Sequence, residues 1–286
     1  MQIFLYFCGV KRIIVCWFAV WIGVLSLSAE LLPGELSGDF SVGASAYVHF
    51  SKGNLIYFTN SWSWKFSDNQ YDYIGSANVK VPVLGSKIDL FGYSNQPDKG
   101  TPEYGALVSN SDDSYKGTFV DWGHNGIANG GEEEDVWSTL SKGDWNYLLT
   151  QRANAEKLQK VVTVGAVNGL LLLPDGATVT IADSYTTDEF NNLATNSGAV
   201  FLPMAGYRDG TVVSDVNVQG GYWTSSTDSE TKAYQLKLSG SSASIAETPR
   251  HIGYAVRLVR QYVTCKKEVT VESNNPDWGT CSITIE

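Results

Sequence analysis

The stretch Trp223-Thr-Ser-Ser-Thr227, followed by Ala233-Tyr-Gln-Leu236 and then by Arg250-His-Ile-Gly253-Tyr-Ala-Val-Arg257-Leu-Val-Arg260, decides how this chain is read. It combines an aromatic anchor, a strand that alternates apolar and polar residues, and a closing Val/Leu run with arginines between, so that Gly220 to Thr227, Lys232 to Ser239 and Tyr254 to Val259 are expected to form the terminal antiparallel strands. Period-two alternation sends Trp223, Leu236, Leu238, Val256 and Leu258 inward and their polar neighbours outward. Tyr222, Thr224, Ser226, Asp228, Ser229, Glu230, Lys232, Gln235 and Lys237 then form a mixed outer patch. Tyr234 shares the parity of Leu236, so it joins that patch only if the start of its strand lies at a rim. Tyrosine among small polar residues is the composition of adaptable recognition surfaces. The competing reading is an ordinary soluble rim.

Upstream, Gly198-Ala-Val-Phe-Leu-Pro-Met-Ala-Gly-Tyr-Arg208 runs into an Asp209-Gly210 turn and Val212-Val213. Gly169-Leu-Leu-Leu-Leu-Pro174 has the uninterrupted apolar character of a strand covered on both faces. Between Trp137 and Arg152 the pattern predicts a helix, with Ser141 as N-cap, Asp144 three residues on, and Trp145, Leu148 and Leu149 on one face. A second helix is expected from about Thr187 to Ala194, carrying Phe190 and Leu193. Near the start, Phe40 to Phe50 alternates with period two and Asn54 to Asn60 is a second β run, which together read as an opening hairpin. Trp62, Trp64, Phe66, Tyr71 and Tyr73 read as core and cross-strand packing. Gly75 to Gly131 is rich in Gly, Asn, Ser and Asp and reads as long ordered loops.

In this order, from about residue 40 to 262, these segments resemble the C-type-lectin-like domains of formylglycine-generating-enzyme-like proteins. The likeness is especially to those in large bacterial surface-protein families and in the variable proteins of diversity-generating retroelements. The resemblance rests on Leu202-Pro-Met-Ala-Gly-Tyr-Arg208 ahead of Trp223-Thr-Ser-Ser, on the helix bearing Trp145, and on Arg250 and Arg257 in the closing run. It implies an α+β, C-type-lectin-like fold of short antiparallel sheets, one or two helices and long ordered loops. Trp145 and Trp223 become structural anchors, and Arg250 and Arg257 braces of the frame. It also implies binding rather than catalysis. The enzymatic members of the family use a late pair of cysteines, and this chain has no cysteine between residues 17 and 264.

Composition sets the remaining bounds. The chain has 286 residues, 43% hydrophobic and 12% aromatic, ample for a core, with a formal charge of -10. Lacking a Lys/Arg cluster beyond its extreme N-terminus, it offers no phosphate-tracking surface, so nucleic acid is not expected as a partner. Residues 1–28 place Lys11-Arg12 ahead of the apolar run Ile13 to Leu25, with Ser26 and Ser28 at a plausible cleavage site, the plan of a secretory signal. Cleavage would leave a chain starting near Ala29 and take the charge from -10 to -12. An uncleaved membrane anchor is the alternative. Residues 29–39 read as a linker, and 263–286 as a partial β-repeat hairpin around Asn274-Asn-Pro, a remnant of an array or a hairpin closed by a Cys265–Cys281 disulfide.

Catalytic and metal signatures are missing from the pattern. His49, His124 and His251 lack metal-ligand spacing, and no nucleophile elbow, phosphate loop or dinucleotide fingerprint occurs. Glu132-Glu-Glu-Asp135 reads as a solvated turn and Gln96-Pro-Asp98 as a chance match to a calcium-lectin tripeptide, so no cofactor is expected and calcium stays open. The expectation is a secreted or surface-exposed protein of the bacterial envelope that binds a protein or glycan through its C-terminal strands. A structural tip or spacer of a surface assembly is the rival reading, and an enzyme of unrecognised type the third.

Overall fold

The computed structural model describes residues 31–58, 61, 63–78, 87–93, 115–210 and 212–262, with a strand pair at 267–272 and 280–285. In chain order the strands and helices are β1 (Phe40–Ser41), β2 (Tyr47–Phe50), β3 (Leu55–Phe58), β4 (Ser63–Phe66), β5 (Lys87–Ile88), β6 (Ser138–Thr139), α1 (Lys142–Asn146), β7 (Gln159–Val164), β8 (Val167–Leu172), β9 (Ser184–Tyr185), α2 (Thr187–Ser197), β10 (Val200–Pro203), β11 (Tyr207–Asp209), β12 (Val212–Ser214), β13 (Gln219–Thr227), β14 (Lys232–Ser239), β15 (Ser242–Pro249), β16 (Leu258–Tyr262), β17 (Lys267–Glu272) and β18 (Thr280–Ile285). Residues 31–262 form one compact unit. It is α+β, built from small sheets in the orders β1-β2-β16-β6, β10-β8-β7-β9, β4-β3-β5 and β13-β14-β15 plus the β11–β12 ribbon. Among the described strands every ladder is antiparallel except the short one of β7 with β9.

The apolar run of β8 is explained by its place between two cores. Leu170 and Leu172 face the cluster that holds Phe40, Phe50, Trp145 and Leu236, whereas Leu171 and Leu173 face the one under α2 with Phe190 and Phe201. Helix α1 starts with the expected capping box: Ser141 Oγ accepts from the Asp144 amide, and the Asp144 carboxylate accepts from the Ser141 amide. It continues as a wider π turn over Tyr147–Gln151, which keeps Leu148 and Leu149 buried. Helix α2 repeats the device with Thr186 and Glu189 and ends at Gly198 in a left-handed conformation. A Cβ at Gly198 would collide with the backbone of Gly38.

Three expectations are corrected. Phe40–Phe50 and Asn54–Asn60 do not pair as an opening hairpin: β1 pairs with β2, β2 with β16, and β3 with β4 and β5. The closing segment comes between them, since the Ser51 amide donates to Leu258 O and the Leu55 amide to Val256 O. Secondly, Tyr254 to Val259 is not the third strand of the terminal sheet. That place is taken by β15, whose Ser/Ala/Thr composition carries no clear alternation signal, while Tyr254 and Ala255 make only isolated bridges to Phe91 and Tyr222. Thirdly, residues 31–39 belong to the compact unit rather than to a linker. Glu35 is buried, Leu36 packs on the main core, and the Leu36 amide donates to Phe50 O.

Trp64 and Phe66 are core residues and Tyr71 and Tyr73 are partly buried, while Trp62 lies outside the described residues. So do the signal region 1–28, Gln96-Pro-Asp98 and Cys265, and with Cys265 the expected disulfide. Strands β17 and β18 pair as a separate hairpin in which Val271 lies opposite Cys281. Among the described residues no helix is long and apolar enough to cross a membrane.

Candidate ligand-binding rim

The structure divides the expected patch into three parts. Tyr222, Thr224 and Gln235 are interior, contrary to the alternation argument. That argument assumes a sheet with one wet face, whereas β13 is covered on both. On one side Tyr222 joins Leu236 in the main core, its hydroxyl donating to Pro203 O at 2.8 Å and lying 3.3 Å from Asn54 Nδ2. On the other, Trp223 packs edge-on against Tyr93 and Tyr254 and donates from Nε1 to Phe91 O at 2.6 Å. Thr224 turns its hydroxyl to Tyr234 O beside the irregular register between Trp223 and Thr227. Gln235 lies beneath the Tyr254 ring against Gly221, where a Cβ would overlap both.

Lys237 is exposed but stands apart, further along β14. The rest gather at one rim: Asp228, Ser229, Glu230 and Lys232 exposed, Ser226 and Tyr234 partly so. Tyr234 reaches this rim because it opens the strand; its hydroxyl donates to Asp228 Oδ1 at 3.0 Å. The loop itself is tightly tied. Amides of Asp228 and Ser229 both donate to Lys232 O at 3.1 Å, and the Lys232 amide donates to Ser229 Oγ at 3.1 Å.

Two neighbours that the sequence reading did not single out complete the rim. The first residue of α1, Lys142, donates its amide to Ser226 Oγ at 3.0 Å and holds its ammonium 3.9 Å from the centre of the Tyr234 ring. Across the sheet, Glu247 on β15 lies 3.6 Å from the Lys232 ammonium. A lysine directly after the N-cap Ser141 was the available signal for the first. Nothing in the sequence pairs Glu247 with the rim until β15 is recognised.

Beneath the loop lies Arg250, buried to 3% exposure. Its guanidinium donates to Ser229 O at 2.6 Å, to Gly117 O at 2.8 Å and to Tyr115 O at 3.1 Å, and sits 5.1 Å from the centre of the Tyr93 ring. Its own amide donates to Thr231 O. Arg257 braces the frame elsewhere, donating to Ser51 O at 2.9 Å and Phe201 O at 2.6 Å, and burial pushes its guanidinium down to about 10. Both arginines thus satisfy main-chain carbonyls. Trp145 is a core residue against Phe50.

Elsewhere, Asp89 and the three histidines are engaged with neighbouring groups. Burial raises the Asp89 carboxyl, which accepts from the Ile74 amide and from Asn78 Nδ2. His49 is held between Glu35 and Asp39, at 2.6 and 2.7 Å, His124 contacts Asp135, and His251 lies 3.6 Å from Asp209. Glu132 to Asp135 form an exposed turn. Among the described residues no group of three His, Cys, Asp or Glu is placed to hold a metal. What the rim offers is a phenol, three carboxylates and two ammonium groups around a fixed loop, a set suited to hydrogen bonding and ion pairing.

A protein family described as a domain of unknown function (DUF8237) matches residues 143–259, from the second residue of α1 into β16, and so spans the rim loop and both bracing arginines. No curated protein and no solved structure matches the chain.

Proposed function

We propose that this protein is an exported, surface-exposed binding protein of the bacterial envelope, with a C-type-lectin-like frame that presents the Ser226–Tyr234 rim to a protein or glycan ligand. The observation that carries the reading is the clamp on the loop: a buried arginine holds Ser229 O while Asp228, Ser229, Glu230 and Lys232 remain exposed to solvent. A loop fixed before binding pays less ordering entropy when it meets a ligand. The likeness to formylglycine-generating-enzyme-like domains agrees with this reading through Trp223, Arg250 and Arg257, which serve as anchors. Calcium enters as a variable to be tested.

The test is binding of residues 29–286 to glycan and surface-protein arrays, with and without calcium, beside a variant carrying Asp228→Ala, Glu230→Ala, Lys232→Ala and Tyr234→Ala. Specific binding that disappears in the folded variant supports the rim; binding that survives moves recognition elsewhere. The hairpin of β17 and β18 supports a second reading, a tip or spacer domain of a surface assembly, because one such unit cannot bury a core of its own. No binding by either protein favours that reading.

A further inference from the structure

A concave surface lies on the sheet β4-β3-β5, and it shares no residue with the rim. The pairings Ile56 with Lys65 and Phe58 with Lys87 put these four side chains on one face of that sheet, opposite the core residues Leu55, Tyr57, Trp64 and Ile88. They open into a groove of about 620 Å³ whose wall also includes Lys52 and Tyr73. That volume lies within the roughly 300–1,000 Å³ usual for small-molecule sites.

Three lysines therefore converge on one groove in a chain whose formal charge is -10. Lys52 lies 3.6 Å from Asp68, whose side chain is 92% exposed, so that pair is weak and screened. The second acid on the wall, Asp72, accepts from the Asn69 amide and side chain. Among the described residues no carboxylate pairs with Lys65 or Lys87, and the Lys65 ammonium rests 5.4 Å from the centre of the Phe58 ring. Three ammonium groups against two aspartates, with Lys65 and Lys87 outside any ion pair among the described residues, leave room over an aromatic floor for an anion with an apolar face.

We infer that this groove binds an acidic saccharide, its carboxylate or sulfate held by Lys65 and Lys87 and its ring laid on Phe58 and Tyr73. The groove floor is the face of a sheet whose main-chain groups are engaged in the ladder. It offers charge and ring surface but few of the main-chain hydrogen bonds by which an extended peptide binds.

Calorimetric titration of the folded chain tests this with four probes: an oligogalacturonate, a heparin-derived oligosaccharide of similar length, a neutral galactose oligomer and a polyglutamate peptide. At least one acidic probe is expected to bind, more weakly as salt rises, with the neutral one silent; which acidic probe binds distinguishes carboxylate from sulfate. Lys65→Gln with Lys87→Gln should weaken that binding about tenfold or more, Phe58→Ala should weaken it too, and the four-residue rim variant should bind as the parent does. Thermal unfolding of each variant separates loss of binding from loss of fold. The inference fails if neither acidic probe binds, if the folded lysine variant binds unchanged, or if a polyglutamate peptide binds as well as the saccharide.

Discussion

The guanidinium of Arg250 donates to Ser229 O at 2.6 Å, so a side chain packed on Tyr93 in the interior fixes the path of an exposed loop 21 residues earlier in the sequence. The same group also satisfies the carbonyls of Tyr115 and Gly117. Removing it takes a charged donor from the buried carbonyl of Tyr115 and from the part-buried bonds to Ser229 O and Gly117 O, and a hydrogen bond to a charged group is worth about 1.5–3 kcal/mol. Arg250→Ala is therefore expected to destabilise the domain by about 3 kcal/mol or more by chemical denaturation and to accelerate amide exchange from Asp228 to Lys232. Arg250→Lys should recover little, because one ammonium cannot reach carbonyls spread around a planar fork.

Gly221 lies under the Tyr254 ring so closely that a Cβ would overlap both the ring and Gln235 Oε1. Gly221→Ala should displace Tyr254 and cost about 1–3 kcal/mol. Increased accessibility of Tyr254 to mild nitration, read by peptide mapping, checks it.

Trp223 contributes ring packing and one hydrogen bond, from Nε1 to Phe91 O. Trp223→Phe keeps much of the first and abolishes the second, leaving a buried carbonyl without that donor. The expected loss is about 2 kcal/mol, seen as a lower denaturation midpoint with the slope unchanged.

Glu35 predicts the acid behaviour of the N-terminal edge. Burial alone would raise its carboxyl, but the Leu32 amide, Arg260 and His49 together outweigh that and hold it below its ordinary value. A carboxyl with a depressed folded-state value adds stability that is present above the ordinary carboxylate range and is lost as the pH falls through the folded value. Thermal unfolding from pH 7 to about pH 3 should show the parent losing stability at the acid end, and Glu35→Gln should start less stable and show a shallower acid decline.

Much of this architecture is legible from sequence where one local signal suffices. Ser141 with Asp144 marks the first helix, because a capping box is a short-range device, and Phe190 with Leu193 marks the face of the second. The leucine run of β8 announces cover on both sides. Legibility fails where partners are remote. Tyr222, Thr224 and Gln235 look like surface positions by parity, and only the arrival of Pro203, Tyr254 and the Phe91–Tyr93 segment makes them interior. The same holds for the rim, where Asp228, Glu230 and Lys232 are evident in the sequence but Lys142 and Glu247 come from other elements. The lysine groove was missed for a related reason: Lys52, Lys65 and Lys87 come together only once β4, β3 and β5 pair.

The bond from Arg257 to Ser51 O joins residues 206 positions apart, beside the pairing of β16 with β2. The meander β13-β14-β15 and the hairpin of β7 and β8 need only short loops to close, so they are free to form early. Joining β2 to β16 requires closure of nearly the whole domain, the entropically slow kind of contact. Closing the sheet that carries both ends of the domain is therefore the costliest closure in chain entropy, and the bond from Arg257 to Ser51 O lies on that closure and on none of the local hairpins.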